Sequence, residues 1–394
     1  MSRREVVIAS GVRTAIGGFG GALKDVPPTE LASTVIREAL VRAQLPGDAI
    51  EHVVVGNVMH SQRQDMYISR VGALGAGIPE TTPCLTVNRL CGSGLQSIIS
   101  AAQMIMLEDI DVAVAGGAES MSRIPYWLPT ARFGQRLGDG AMVDALNAGL
   151  TCPVTDVHMG VTAENVASRW KVSREDQDQL AVESHQRAAR AIREGRFDSQ
   201  IVPVSIKTRK GVVEFAVDEH VREDASVEGM SSLKPIFQKD GTVTAANASG
   251  INDGAAAVVL LDRESAEKRG VTPIAKVVDY TFSAVEPGVM GIGPVPAVEK
   301  LLAKTGLNVD DIDLWEVNEA FASQALAVCR ELQLPMEKVN VNGSGISLGH
   351  PVGATGSILA VKLIHELHRT GGKLGVATMC IGGGQGIAVL FEKL

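Results

Sequence analysis

The sequence predicts an α/β protein built from a duplicated unit, and two observations carry that prediction. Strand-like and helix-like runs alternate through most of the 394 residues, the pattern of layered α/β folds. The order of one such unit in the first half is also replayed in the second. Residues 39–57 (ALVRAQLPGDAIEHVVVGN) and 301–318 (LLAKTGLNVDDIDLWEVN) each run from a helix end through an Asp-bearing turn into a strand, closing on Asn57 and Asn318. Cys91 follows the first asparagine by 34 positions and His350 follows the second by 32, each just ahead of a helix.

The elements follow in order. EVVIAS (5–10) reads as a strand. Residues 29–44 read as a helix with Thr29 as N-cap behind Pro27-Pro28 and Leu31, Val35 and Leu40 on one side. Strands are expected at 52–58, 83–87 and 111–116. Between the last two, Leu95, Ile98, Ile99 and Ala102 recur at helical spacing. In the second half KLGVATMC is a strand and 357–368 a helix. The stretch from 119 to 249 breaks the alternation. It holds a loop rich in Pro, Trp and Arg (122–136) and two helical segments, TAENVASRWK and SREDQDQLAVESHQRAARAI, the second capped by Ser173. It reads as an insertion over one end of a sheet, where binding sites are often shaped.

Composition narrows the function. Lys and Arg number 37 against 45 Asp and Glu, a formal charge of −8, so no basic stripe for nucleic acid or a membrane surface is expected. No run approaches the ~18 apolar residues of a membrane span, and the start MSRREVVIASGVRTA lacks a signal-peptide core. A cytoplasmic home is the expectation. Five scattered cysteines (Cys84, Cys91, Cys152, Cys329, Cys380) suit free thiols in a reducing compartment. They lack zinc-site spacing, and no GxGxxG fingerprint accompanies the 42 glycines, so neither a metal nor a dinucleotide cofactor is expected.

Four residues stand at strand ends, where ligands gather in such folds. Cys91, in VNRLCGSGLQS, precedes a helix whose free N–H groups would lower a thiol's pKa toward neutral and make it a nucleophile; an inert buried cysteine at a tight contact is the alternative. Cys380 meets IGGGQG, whose bare amides suit an oxyanion or simply a glycine bulge. His350, in GSGISLGHPVGATG, is either a base or a capping residue, and Asn318, in EVNEAF, either a site amide or an N-cap. Two thiols, an imidazole and an amide at equivalent junctions of a doubled unit point to acyl transfer with a proton shuttle beside an oxyanion hole.

VNRLCGSGLQS, GGAESMS, HMGVTAENVA, TVTAANASGINDGAAAVV, VNEAF, NGSGISLGHPVGATG and CIGGGQG together resemble the motif series of the thiolase family, in family order over essentially the whole chain. Within it the chain resembles the bacterial biosynthetic acetyl-CoA acetyltransferases and β-ketothiolases of polyhydroxyalkanoate synthesis. The resemblance implies a thiolase-like α/β fold of two duplicated halves in αβαβα layers with an inserted loop domain. It divides the chain into an N-terminal half (1–118 plus 250–270), a CoA-binding insertion (119–249) and a C-terminal half (271–394). Cys91 would carry the acyl group and His350 generate its thiolate. Cys380 would take the α-proton. His350 and a water on Asn318 would hold the enolate oxygen, and the amides of Cys91 and Gly382 the thioester oxygen.

For coenzyme A the resemblance implies contacts from Leu150, His158, Met159, Arg222, Phe237, Ala245 and Ser249, with Met290, Ala320 and Phe321 at the pantetheine and acyl end. Arg222 reads equally well as a surface ion pair in DEHVRED. Val317, Ala246 and NGSGI depart from the commoner family pattern, which bears on acyl-chain length. The expected activity joins two acyl-CoA, mainly acetyl-CoA, into 3-ketoacyl-CoA and CoA by a reversible ping-pong Claisen reaction, with CoA thioesters as substrates and no cofactor. A degradative 3-ketoacyl-CoA thiolase is the nearest alternative. A decarboxylating ketoacyl synthase or a non-catalytic acyl carrier would not need Cys380 as a base. A homotetramer, a dimer of dimers, is implied, with the loop around Arg123–Arg136 touching other subunits.

Overall fold

The computed structural model describes residues 4–209 and 211–394. Its main sheet is assembled from β1 (Val6–Arg13), β2 (His52–Gly56), β3 (Cys84–Val87), β4 (Val112–Ser120), β5 (Asn252–Asp262), β6 (Ala275–Ala284), β7 (Leu314–Val317), β8 (Leu374–Ile381) and β9 (Gln385–Lys393). The order along the hydrogen-bonded path is β3-β2-β4-β5-β1-β6-β9-β8-β7. The centre of that path is a join between halves. β1 pairs β6 antiparallel through only Val7↔Lys276 and Ile8↔Ala275. On either side the arrangement repeats: β2 runs parallel to β4, and β7 parallel to β8.

Alternation along the strands decides what each face covers. Val6 and Ile8 of β1 join a core shared with Leu95, Ile98, Ile358 and Leu363, whereas Val7 and Ala9 join a separate core with Leu31, Val35 and Ile36. Helix α1 (Pro28–Ala43) therefore covers the outer face of the first half. Helices α2 (Ser93–Met106) and α7 (Thr355–Thr370) fill the shared middle layer. On the far side α5 (Pro294–Thr305) and α6 (Ala322–Glu331) bury Val298, Leu301 and Val328 against Trp315, Val376 and Leu390. The result is five layers, αβαβα. Strands covered on both faces explain the near-continuous apolar runs of β1, β4 and β5.

The two central helices meet at their first turns, which glycine permits. A Cβ on Gly94 would stand 2.5 Å from Ser357 N, and one on Gly356 2.3 Å from Leu95 N. Both N-termini thus arrive at one place, between the ends of β4 and β8.

The segment 119–249 supplies α3 (Met159–Arg169), α4 (Arg174–Arg193) and a hairpin pairing Val204–Thr208 with Gly211–Phe215. Ser173 caps α4, its Oγ accepting from Asp176 N at 3.1 Å. The segment is tied to β1 by Arg13, whose buried guanidinium donates to both oxygens of Asp218 at 2.7 and 2.9 Å and to Gln200 Oε1 at 2.7 Å. Two details differ from the sequence reading. Pro27, not Thr29, is the N-cap of α1, because Pro28 already has the dihedral of a first helical residue. Asn318 does not cap a helix either, since α6 begins at Ala322 behind Phe321.

Candidate active site

Cys91 sits in the turn between β3 and α2. Leu90 takes a left-handed φ of 48°, held by Asn88 Oδ1, which accepts from Leu90 N at 2.9 Å. Ser93 Oγ donates to Leu90 O at 2.6 Å and accepts from Arg89 N at 2.9 Å. Gly92 lets this turn touch the end of β8, since a Cβ there would lie 2.6 Å from Ile381 Cδ1. The N–H groups of Gly382 and of Cys91 itself face the sulfur and favour its thiolate, but burial outweighs them and pushes the thiol up. This corrects the sequence expectation of a thiol lowered by a helix N-terminus. Proximity to that terminus is local, whereas the desolvation that opposes it comes from the rest of the fold.

Cys380, the penultimate residue of β8, is 1% exposed. Burial, and secondarily the neighbouring Cys91, push its thiol far up. The three glycines after it form the tight hairpin into β9, with Gly383 and Gly384 at φ 79° and 83°.

His350 lies at the start of the turn that leads into α7. Its N–H donates to Asn252 Oδ1 at 2.9 Å, while Asn252 Nδ2 donates to Gly17 O at 3.0 Å. Its ring is gripped on both sides: Nδ1 lies 2.6 Å from Thr355 Oγ1, and Nε2 lies 3.4 Å from Asn318 Nδ2. Asn318 Nδ2 can only donate, so Nε2 carries the lone pair and the proton is assigned to Nδ1, which donates to Thr355 Oγ1. Thr355 in turn donates to Pro351 O at 2.9 Å. Burial holds this imidazole down at about 4, so it is neutral and basic at Nε2 at physiological pH. Asn318 follows β7, donates its own N–H to Thr378 O at 3.0 Å, and leaves Oδ1 buried without a protein partner.

Cys91, Cys380 and His350 line one cavity of about 360 Å³. The same cavity is walled by Leu150, His158, Met159, Phe237, Ala245, Ser249, Met290, Ala320 and Phe321. Part of its wall is aromatic: the His158 and Phe237 rings stack at 4.8 Å, and Phe237 meets Phe321 edge-on at 6.2 Å. Gly160 makes room for that stack, because a Cβ there would lie 2.3 Å from the Phe237 ring. Such a slot suits a thin, largely apolar chain carrying a few polar groups.

Asn318 and Gly382 stand behind the lining and reach it through His350 and Cys91. Arg222 does not join them. Its side chain is exposed outside the cavity, and its N–H donates to His185 Nδ1 at 3.1 Å. Sequence reasoning missed Met121, Ile236, Ala248, Gly250, Ile251 and Val352 in the wall, and Thr355 and Asn252 behind His350. Only Thr355 had a local signal, a hydroxyl five residues beyond a candidate base. Among the described residues, no group of three or more His, Cys, Asp or Glu is placed to hold a metal ion, and no helix is long and apolar enough to cross a membrane.

Comparison with known proteins places these motifs in one lineage. Residues 6–264 match the family described as thiolase, N-terminal domain, and residues 271–393 match thiolase, C-terminal domain. The beta-ketothiolase BktB of Cupriavidus necator is 58% identical over 392 residues, spanning 99% of this chain and all of that protein. The mitochondrial 3-ketoacyl-CoA thiolase of Bos taurus is 48% identical over 391 residues, spanning 99% of this chain and 98% of that one. Among solved structures, the acetyl-CoA acetyltransferase of Bacillus anthracis is 48% identical and aligns with a TM-score of 0.97 over the full length of both chains.

Proposed function

The chain belongs to the thiolase family, and from that premise we propose that it is an acetyl-CoA C-acetyltransferase, joining two acyl-CoA, mainly acetyl-CoA, into 3-ketoacyl-CoA and free CoA. The observation that carries this reading is the pair of thiols, Cys91 and Cys380, on one apolar cavity with a neutral imidazole beside them.

Because burial raises the Cys91 thiol, it needs a base, and His350 Nε2 offers a lone pair. Transfer of the proton to Nε2 frees the thiolate to attack the thioester carbon; the bond to CoA sulfur breaks and the acyl group stays on Cys91. CoA leaves as the thiol with a proton from Cys380, which becomes the second base. Its raised pKa suits this task, since a more basic thiolate better matches a weakly acidic carbon. Deprotonating the second acetyl-CoA places charge on its carbonyl oxygen. The protonated Nε2 of His350 and the buried Asn318 amide, through a water held there, are the groups proposed to stabilise it. The new carbanion attacks the acyl carbon, the C–C bond forms and Cys91 departs as thiolate to recover its proton. The Gly382 and Cys91 amides, which face the sulfur, are the groups proposed to hold the thioester oxygen during both acyl transfers. Each donor of this kind is worth about 3 kcal/mol of barrier.

The cavity wall and the aromatic slot around Phe237 are proposed to take the pantetheine arm, with Leu150, His158, Met159, Ala245, Ser249, Met290, Ala320 and Phe321. Arg222, outside it, is left as a contact to the distal phosphates. The insertion 119–249 then acts as the CoA-binding unit between two catalytic halves, 1–118 with 250–270 and 271–394. The segment from Tyr126 to Leu137 exposes Trp127, Leu128 and Phe133, the last at 90%, and this surface supports a homotetramer. Five free cysteines, two of them needed as thiols, support a reducing cytoplasm.

The test is loss of the Mg-enolate absorbance of acetoacetyl-CoA on adding CoA to purified protein. No loss with folded protein refutes the reading. A degradative preference for longer 3-ketoacyl-CoA is the second reading, favoured by the pliable thioethers of Met121, Met159 and Met290 in the wall. Comparing kcat/KM for acetoacetyl-, 3-ketovaleryl- and longer 3-ketoacyl-CoA separates the two.

A further inference from the structure

The duplication gives Asn318 and Cys380 structural counterparts in the other half. In the first half Gly56 pairs Gly117, and in the second Val317 pairs Thr378. Asn57 and Asn318 each stand one residue past their strand's last pair. Glu119 and Cys380 each stand two residues past theirs, and each is the penultimate residue of its strand. Where the second half carries its proposed base, the first half carries a fully buried carboxyl that the mechanism does not use.

That carboxyl is surrounded by donors from both halves. Oε1 accepts from Asn57 Nδ2 at 3.0 Å and Met59 N at 3.1 Å, and Oε2 accepts from Val58 N and Gly353 N, both at 3.0 Å. Burial raises this carboxyl to about 8 even against the lowering by the Met59, Val58 and Gly353 amides, and its four partners are all donors, which favour the ionised form. Gly353 lies in the turn that joins His350 to Thr355, and that turn is pressed onto β4. A Cβ on Gly117 would be 2.2 Å from Gly353 O, and one on Gly353 2.5 Å from Glu119 Oε2. One carboxyl group therefore grips the 57–59 loop of the first half and the His350 turn of the second.

We propose that Glu119 is a positioning residue that locks the His350–Thr355 turn against β4, so that Nε2 of His350 stays aimed at the Cys91 thiol. The assignment rests on Cys91 and His350 being nucleophile and base. Two opposing effects on Cys91 make it testable. The titratable groups around Cys91 are Cys380 on β8 and Glu119 on β4, with His350 of the turn on the same cavity, and Asp65 is near enough to Glu119 to raise it. As a mere neighbouring charge Glu119 raises the Cys91 thiol, so removing it would lower that thiol and speed its reaction. As a positioning residue its removal misplaces the base and slows it.

Glu119→Gln keeps the shape but sets an amide N–H₂ against backbone N–H groups. Wild type and variant are alkylated with iodoacetamide across the neutral pH range, the modified cysteine being identified by mass spectrometry. The expected result is a rate at Cys91 at least about tenfold lower, with its pH midpoint moved up, in protein whose folding is confirmed by circular dichroism. An unchanged or faster rate overturns the proposal. Should the variant not fold, Asn57→Ala, which removes one of the four donors, carries the test: a rate about threefold lower supports it and an unchanged rate overturns it. Failure of wild-type Cys91 to acylate with acetyl-CoA would instead strike the nucleophile assignment beneath both.

Discussion

Thr355→Val tests how the fold sets the base. The His350 Nδ1 to Thr355 Oγ1 contact is 2.6 Å, and both residues are buried. Valine keeps the shape and the β-branch but removes the acceptor, leaving Nδ1–H unpaired at a cost of about 1–3 kcal/mol. The ring avoids that cost only by moving its proton to Nε2. There it would face Asn318 Nδ2, another donor, and the lone pair needed to accept the Cys91 proton would be gone. A cost of about 1–3 kcal/mol for the competent tautomer predicts acylation of Cys91 roughly 5- to 160-fold slower with KM for acetyl-CoA little changed, since nothing in the cavity wall moves. Quenched-flow mass spectrometry of the acyl-enzyme measures the rate, and ¹⁵N chemical shifts of the imidazole report the tautomer. Thr355→Ser, which keeps the hydroxyl, should stay near wild type. Acylation within twofold of wild type, with Nε2 still unprotonated, would refute the reasoning.

The remaining predictions are simpler. Cys91→Ala should form no acyl-enzyme with acetyl-CoA by intact-mass analysis. Cys380→Ser should still be acylated but lose exchange of the acetyl-CoA methyl hydrogens with deuterium; exchange at the wild-type rate would show the base to be elsewhere. Gly384→Ala, at φ 83° with a Cβ 2.3 Å from Val285 O, should lower stability by about 2–5 kcal/mol in urea unfolding, whereas Gly382→Ala, whose nearest contact is 3.4 Å from Leu90, should fold normally. His185, buried outside the cavity, is held down at about 4 by burial and by its cationic neighbours, below its ordinary value of about 6.5. The unfolded chain therefore binds the extra proton between those values, and stability present above pH ~6.5 is lost as pH falls through ~4, on the order of 3 kcal/mol. His185→Gln should flatten the pH dependence of unfolding by that amount relative to wild type, and parallel curves would contradict it.

Much of this protein is legible without coordinates because its signals are local. Alternating runs and a repeated helix–turn–strand–Asn order point to a doubled α/β unit, and the glycines around Cys91, His350 and Cys380 mark places where backbone must come close. Strand limits are equally local, so β1, β2, β3 and β8 lie where apolar runs place them. Harder to read are residues whose role comes from the other half of the chain. Glu119 looks like any acid in GGAES until Gly353, far along the chain, donates to it. Asn252 looks like a strand residue until it holds the backbone of His350. Arg222 matches its motif and still stands outside the cavity.

Residue types and spacing by themselves settled the layered fold, the doubling and the four chemical groups at strand ends. Tertiary structure alone decided their protonation. Cys91 sits at the helix start that the sequence predicts, yet its thiol is pushed up rather than down, because the cost of removing water is set by everything packed around a group and not by its neighbours in sequence. The same burial keeps His350 neutral, and a hydroxyl and an amide from two separate elements choose which of its nitrogens holds the proton.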